Sequence, residues 1–106
     1  MDMKSPIPKI SIIIPTYNQA ALLEKALQSV TAQTFQDWEA IVIDNHSTDR
    51  TKDVVDAMQD SRIRYVAFSN QGIIAASRNL GIRMAVGSVI AFLDSDDLWY
   101  PSKLSS

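Results

Sequence analysis

The sequence predicts an α/β fold, an open, doubly wound, mainly parallel sheet in the order βαβαβαβ, within a single domain over residues 1–106. Three observations predict it. Four short apolar runs rich in β-branched residues are separated by stretches with helical spacing. Strands alternating with helices of this length imply right-handed crossovers between parallel strands. The first, second and fourth runs each end in a polar cluster, at the edge where open parallel sheets bind ligands.

Taken in order, Ile10-Ser11-Ile12-Ile13-Ile14 reads as a buried strand that stops at Pro15. A helix follows, with Asn18 as its N-cap, Glu24 early in it, and Leu23, Ala26, Leu27 and Val30 on one face. Trp38 to Ile43 forms a second strand, halted by Asp44-Asn45-His46-Ser47-Thr48-Asp49, a run rich in turn and capping side chains. The second helix carries Val54, Val55 and Met58. Arg62 to Phe68 alternates charged and apolar residues, which suits a third strand near a sheet edge. A third helix starts at Gly72, presents Ile73, Ala76, Leu80 and Met84 on one face, and stops at Gly87. Val89 to Leu93 is the fourth strand, ending in Asp94-Ser95-Asp96-Asp97, and Lys103-Leu104 begin another helix.

Composition narrows the function classes. The chain has 46% hydrophobic and 21% charged residues, the balance of a globular protein. Ten basic residues against twelve acidic ones, scattered along the chain, argue against nucleic acid as a partner. The absence of cysteine removes disulfides, thiolate metal sites and cysteine nucleophiles. The longest apolar runs are too short to span a bilayer, and Met1 to Lys9 lacks the apolar core of a signal peptide. These features predict a cytoplasmic chain, with any peripheral association at the inner face of a membrane left to a full-length protein.

The chemistry concentrates at the strand ends. With a strand order of 3-2-1-4, Tyr17 and Asn18, Asp44 and Asn45, and Asp94, Asp96 and Asp97 converge on one crevice. Three carboxylates within four residues repel one another unless a cation neutralises them. Mg²⁺ or Mn²⁺ would do so, since such ions take one or two carboxylates together with substrate phosphates. The alternative is a solvated turn whose aspartates cap the next segment. Ser47, Thr48 and Asp49 are N-cap candidates for the second helix, Asp44 and Asn45 come too early for that, and His46 receives no role. Neither a G-x-G-x-x-G nor a G-x-x-x-x-G-K-[ST] follows any strand, so glycine-loop dinucleotide and P-loop sites are absent. Pro15-Thr16-Tyr17-Asn18 holds neither the acidic pair of a response-regulator receiver nor the Gly- and Arg-rich phosphate loop of a sugar-nucleotide pyrophosphorylase.

Taken together, Ile12-Ile13-Ile14-Pro15-Thr16-Tyr17-Asn18, the Ile43 to Asp49 run, Ala76-Ser77-Arg78-Asn79-Leu80-Gly81 and Phe92-Leu93-Asp94-Ser95-Asp96-Asp97 resemble family 2 glycosyltransferases in order and spacing. Gln33-Thr34-Phe35 and Trp99-Tyr100-Pro101 extend the similarity. The resemblance implies a Rossmann-like sheet of the GT-A, nucleotide-diphospho-sugar transferase type. It implies transfer, with inversion, from a UDP- or dTDP-sugar to a saccharide or other hydroxyl acceptor, including lipid-linked ones. Pro15, Thr16, Tyr17, Asp44, Asn45, Arg78, Asp94 and Ser95 are then the donor-binding residues, with Tyr17 against the base. Asp96, Asp94 and Asp97 are the ligands of Mn²⁺ or Mg²⁺. Arg78 either contacts diphosphate or packs on the helix surface.

One departure bears on the donor. The family usually shows two aspartates after the second strand, and here the second is Asn45, whose amide can still accept one bond from a pyrimidine N3–H. Members with an Asp-Asn pair often resemble deoxysugar-transferring enzymes, which sets a dTDP-sugar beside a UDP-sugar. The family's catalytic base normally lies downstream of the Asp-x-Asp element, so the resemblance implies a donor-binding part without catalytic base or acceptor groove. A non-catalytic nucleotide- or metal-binding module is the other class this crevice would serve. An uncovered fourth strand also predicts self-association through the sheet edge.

Overall fold

The computed structural model describes residues 7–105. The first six residues of the leader and Ser106 therefore lie outside the described residues, as do those parts of the expected 1–106 domain. Seven elements alternate along the chain: β1 (Ile10–Thr16), α1 (Ala20–Thr31), β2 (Trp38–Asp44), α2 (Thr51–Met58), β3 (Ile63–Ala67), α3 (Ile74–Met84) and β4 (Val89–Phe92). All strand pairs are parallel, in the order β3-β2-β1-β4. The predicted doubly wound sheet and its order are both present.

Alternation along β1 and β2 divides the core. Ile12, Ile14, Ala40 and Val42 face α1 and α2, meeting Leu23, Leu27, Val54 and Val55. Ile13, Ile41 and Ile43 face the other way and pack with Leu80 and Met84 of α3. β3 is half-buried, as its alternating charge predicts. β4 is the other edge, and its Val89 and Phe92 are about half exposed.

Several boundaries differ from expectation, each for a local reason. β1 does not stop at Pro15 but continues to Thr16, pairing Pro15 with Ile43 and Thr16 with Asp44. Ile13 offers its carbonyl to Leu93 N–H on the β4 side, so by alternation the missing N–H of Pro15 also falls on that side. The β4 ladder ends at the Ile13 and Phe92 pair, and no bond is forfeited. Asn18 does not cap α1. It is left-handed (φ 49°), and the helix begins two residues later, with Glu24 beyond its first turn. α3 begins at Ile74, leaving Ile73 extended and 60% exposed instead of on the buried face. Lys103 and Leu104 lie in a turn, not a helix.

Gly87 is not the left-handed stop of α3, which ends at Ala85 in an extended conformation. Its role is close approach. A Cβ there would lie 2.8 Å from the Lys9 carbonyl oxygen and 2.9 Å from the Ile10 carbonyl carbon. Gly81 acts similarly inside α3, where an added Cβ would fall 2.4 Å from Ile13 Cγ2, so the glycine lets the helix lie down on β1.

Two polar clasps hold the layers. At the amino ends of the strands the buried Glu39 carboxylate accepts from Ser11 Oγ (2.6 Å), Val86 N–H (2.9 Å) and Arg64 (3.1 Å), while Ser11 Oγ accepts from Gly87 N–H (2.8 Å). Behind α1, the buried Gln33 donates to the Ser29 (3.1 Å) and Tyr100 (2.7 Å) carbonyls and accepts from Leu104 N–H (2.9 Å). Thr34 N–H bonds the Pro101 carbonyl at 2.9 Å, so the Gln33-Thr34 and Tyr100-Pro101 motifs meet in space.

Gly87→Ala should destabilise the fold by about 1–3 kcal/mol through overpacking against backbone, read as a lower urea midpoint at unchanged slope. An unmoved midpoint would mean the α3–β4 connection shifts freely. Burial alone would raise the Glu39 carboxyl, but Ser11, the Val86 N–H and Arg64 together hold it below its ordinary 4.5. A depressed folded pKa contributes stability above the unfolded value and loses it as pH falls through the folded one. Stability measured between about pH 6 and pH 3 should therefore decline more gently in Glu39→Gln than in the unchanged chain; parallel curves would exclude this role.

Candidate functional site

The carboxyl ends of β1, β2 and β4 enclose a crevice of about 500 Å³ at the point where the strand order reverses. Pro15, Thr16, Tyr17, Asn45, Arg78, Asp94, Ser95 and Asp96 of the sequence-derived set line it. Asp44 and Asp97 do not.

The β1 and β2 loops are tied to each other before any ligand arrives. Asn18 Oδ1 accepts from Thr48 N–H (2.7 Å), and Asn18 N–H donates to Ser47 Oγ (2.8 Å). Asp49 caps two helices at once, its Oδ2 accepting from Ala20 N–H of α1 (3.1 Å) and its Oδ1 from Thr51 N–H of α2 (3.0 Å). The Thr51 hydroxyl also bonds Oδ1, and chiefly for that reason the Asp49 carboxyl sits below its ordinary range.

Asp44 is buried beneath this loop with both oxygens engaged. Oδ1 accepts from Ser47 N–H (3.0 Å) and Ser47 Oγ, and Oδ2 accepts from Tyr65 OH (2.5 Å). Burial and the adjacent carboxylate push the Tyr65 phenol up to about 12. Asp44 thus shapes the loop, and from its pair only Asn45 reaches the crevice. His46 is exposed and left-handed (φ 52°).

On the other wall Arg78 of α3 reaches Asp94, Nη2 to Oδ1 at 3.2 Å, with both side chains substantially exposed. Such a pair contributes roughly 0–1 kcal/mol, so it is easily exchanged for a ligand. Ser95 is buried and donates its hydroxyl to Gln19, tethering the acidic turn to the start of α1. Asp97 is not among the residues that line the crevice, and its Oδ1 accepts from Leu98 N–H (3.0 Å). Tyr17 is 53% exposed at the mouth, an accessible aromatic face. On the floor, the buried Thr16 hydroxyl has no hydrogen-bond partner among the described residues.

Among the described residues no three His, Cys, Asp or Glu side chains form a cage for a metal. Asp94 and Asp96 do fit Mg²⁺ or Mn²⁺, because two carboxylates on a crevice wall leave the remaining positions to phosphate and water. Sequence reasoning missed Gln19, Asn70, Gly72 and Ile74, which also line the crevice. Asn70-Gln71-Gly72 has the composition of a turn, and Gln71 (φ 54°) and Gly72 (φ 81°) are left-handed where the sequence suggests the start of a helix, but its place beside β2 depends on tertiary contacts.

A doubly wound α/β sheet with polar strand ends at its switch point defines the class, a ligand-binding domain of Rossmann-like architecture. The profile of Glycosyl transferase family 2 matches residues 11–106, and the chain belongs to that family. It is 46% identical over 97 residues to an uncharacterized glycosyltransferase of Rickettsia felis, covering 91% of the chain and 16% of the relative. It is 43% identical over 105 residues to the GalNAc(5)-diNAcBac-PP-undecaprenol beta-1,3-glucosyltransferase of Campylobacter jejuni, covering 94% and 33%. The chain thus spans a third or less of these relatives. Among solved structures, S. aureus TarS 1-349 in complex with UDP-GlcNAc superposes with a TM-score of 0.86 at 31% identity, covering 92% of this chain and 29% of that one. The mannosyltransferase PcManGT of Pyrobaculum calidifontis, in complex with GDP-Man and Mn²⁺, gives 0.78 at 30% identity, covering 88% and 29%. No helix among the described residues is long and apolar enough to cross a membrane.

Asp49→Ala should cost about 1–2 kcal/mol through the loss of a shared cap, whereas Arg50→Ala, at an N-cap position without a side-chain bond, should change the urea midpoint little. Equal losses in the two variants would refute the shared cap.

Proposed function

We propose that this chain is the donor-binding part of a glycosyltransferase that takes a UDP- or dTDP-sugar, assisted by Mn²⁺ or Mg²⁺, and transfers the sugar with inversion to a hydroxyl acceptor. The observation that carries it is the convergence of Tyr17, Asn45, Arg78, Asp94 and Asp96 on one crevice at the switch point. The names of relatives and neighbours support UDP-sugars as donors and lipid-linked saccharides as acceptors.

Each residue has a distinct task in this reading. Tyr17 offers a π-face on which a base can stack without selecting it. Arg78, released from Asp94, places a planar set of donors against diphosphate oxygens. Asp94 and Asp96 would hold the cation, which when bound neutralises charge on the leaving diphosphate. Ser95 contributes by fixing the acidic turn to Gln19. The carboxylate that takes the acceptor proton, and the acceptor groove, belong to sequence downstream of the Asp-x-Asp element.

Calorimetric titration of the chain with UDP and dTDP, with and without Mn²⁺, tests the donor site. Binding should depend on the metal and weaken about tenfold or more in Asp96→Ala, a loss of roughly 1.4 kcal/mol. Binding that ignores both the metal and Asp96 would overturn the metal assignment, and failure of every nucleotide to bind would overturn the donor site.

A further inference from the structure

Among the described residues that line the crevice, Arg78 is the only cation, and it shares the lining with two carboxylates, Asp94 and Asp96. It pairs with one of them. Nη2 donates to Asp94 Oδ1 at 3.2 Å, whereas Asp96 has no hydrogen bond or ion pair among the described residues. With the crevice empty, one of the two carboxylates already carries a counter-ion from the chain itself.

The backbone is held at both ends of this pair. On the α3 side, Ser77 is buried with its hydroxyl accepting from Asn70 Nδ2 (2.9 Å), and Gly81 lies so close to Ile13 that a Cβ would not fit. On the β4 side, Leu93 N–H bonds the Ile13 carbonyl (3.0 Å), Asp97 N–H closes a turn on the Asp94 carbonyl (2.9 Å), and Ser95 is tied to Gln19. The two side chains, 41% and 58% exposed, are free of such ties and can part by rotation alone.

The competition with a metal is one of charge and not of lone pairs. Asp94 Oδ2 has no partner among the described residues and could still take a cation. An ion there would share a carboxylate with a guanidinium, and like charges so close repel. A diphosphate changes the balance, because its oxygens give the guanidinium a second place to bind and add negative charge for the cation. Resting on the donor-site reading above, we propose that Arg78 is a resident counter-ion that keeps a lone divalent cation off Asp94 and moves to the diphosphate when nucleotide enters. The crevice then loads its metal together with the nucleotide and not before it. Binding of the two is coupled through a side chain that belongs to neither ligand.

The test needs the metal alone. Mn²⁺ should be titrated without nucleotide into the unchanged chain, Arg78→Gln and Arg83→Gln, with the free ion followed by its EPR signal and each fold checked by circular dichroism. Arg83 lies on the same helix outside the crevice lining, so its variant matches the change in net charge. Mn²⁺ should bind Arg78→Gln about two- to fivefold more tightly than the unchanged chain, the scale of an exposed ion pair, and Arg83→Gln no more tightly. Equal affinity in Arg78→Gln and the unchanged chain, or equal gains in both variants, overturns the proposal. A second measurement needs no variant: on adding UDP without metal, the guanidinium resonances of Arg78 and the carboxyl carbon of Asp94 should both shift. Signals that stay in place while UDP binds overturn the release. Failure of UDP to bind the unchanged chain even with Mn²⁺ would instead overturn the donor site, and the release with it, while the titration with Mn²⁺ alone still decides whether Arg78 holds the cation off.

Discussion

β1 pairs with β2 as far as Thr16 and Asp44, but with β4 only as far as Ile13 and Phe92. That inequality opens the crevice, because the last residues of β1 have a strand on one side and space on the other. Parallel pairing sends every carboxyl end to the same edge, so the loops that follow β1, β2 and β4 must meet around this space. Pro15 suits the uncovered side, since a residue without an N–H leaves no donor unpaired where the ladder has stopped. Thr16, one residue on, brings an unpartnered hydroxyl to the floor.

Around that opening, most polar side chains are committed to the fold. Asp44, Asp49, Asn18, Ser95 and Asn70 each have hydrogen-bonding partners within the chain, and they act as fixtures that hold the loops in register. The groups left over are few: the Tyr17 face, the Thr16 hydroxyl, the Asn45 amide nitrogen, the Asp96 carboxylate, and an Arg78–Asp94 pair exposed enough to exchange for a ligand. Burial explains part of this division, since Asp44, Ser95 and Asn70 are buried and paired, whereas Asn18 and Asp49 are exposed and are held by the geometry of the two loops. The two members of Asp44-Asn45 illustrate it, one interior and fully engaged, the other at the wall with one end free.

The sheet was legible because its signals are local and redundant. Runs such as Ile10 to Ile14 and Ile41 to Ile43 state the strands, and the spacing of Leu23, Ala26, Leu27 and Val30 states the helix between them. Helix ends were less legible. Asn18 has the chemistry of a cap, but the Thr48 N–H competes for its oxygen, and a carboxylate from another loop serves α1 instead. Gly87 likewise has the composition of a helix stop while serving the approach of the α3–β4 connection to β1. At the site, residue identity located the crevice, but the direction of the Asn45 amide depends on Asn70, twenty-five positions away, and no spacing rule encodes that contact.

The segment from Ser95 to Tyr100 is fastened at both ends to the same helix, through Gln19 before α1 and Gln33 after it. α1 has 12 residues and so measures about 18 Å. The segment between the anchors is compact at its start, where Asp97 N–H closes a turn on the Asp94 carbonyl at 2.9 Å. The helix therefore acts as a common mount for the acidic turn and the stretch that follows it, because both anchors flank α1. A residue gained or lost in α1 would shift one anchor relative to the other, although no residue of that helix between Ala20 and Thr31 lines the crevice.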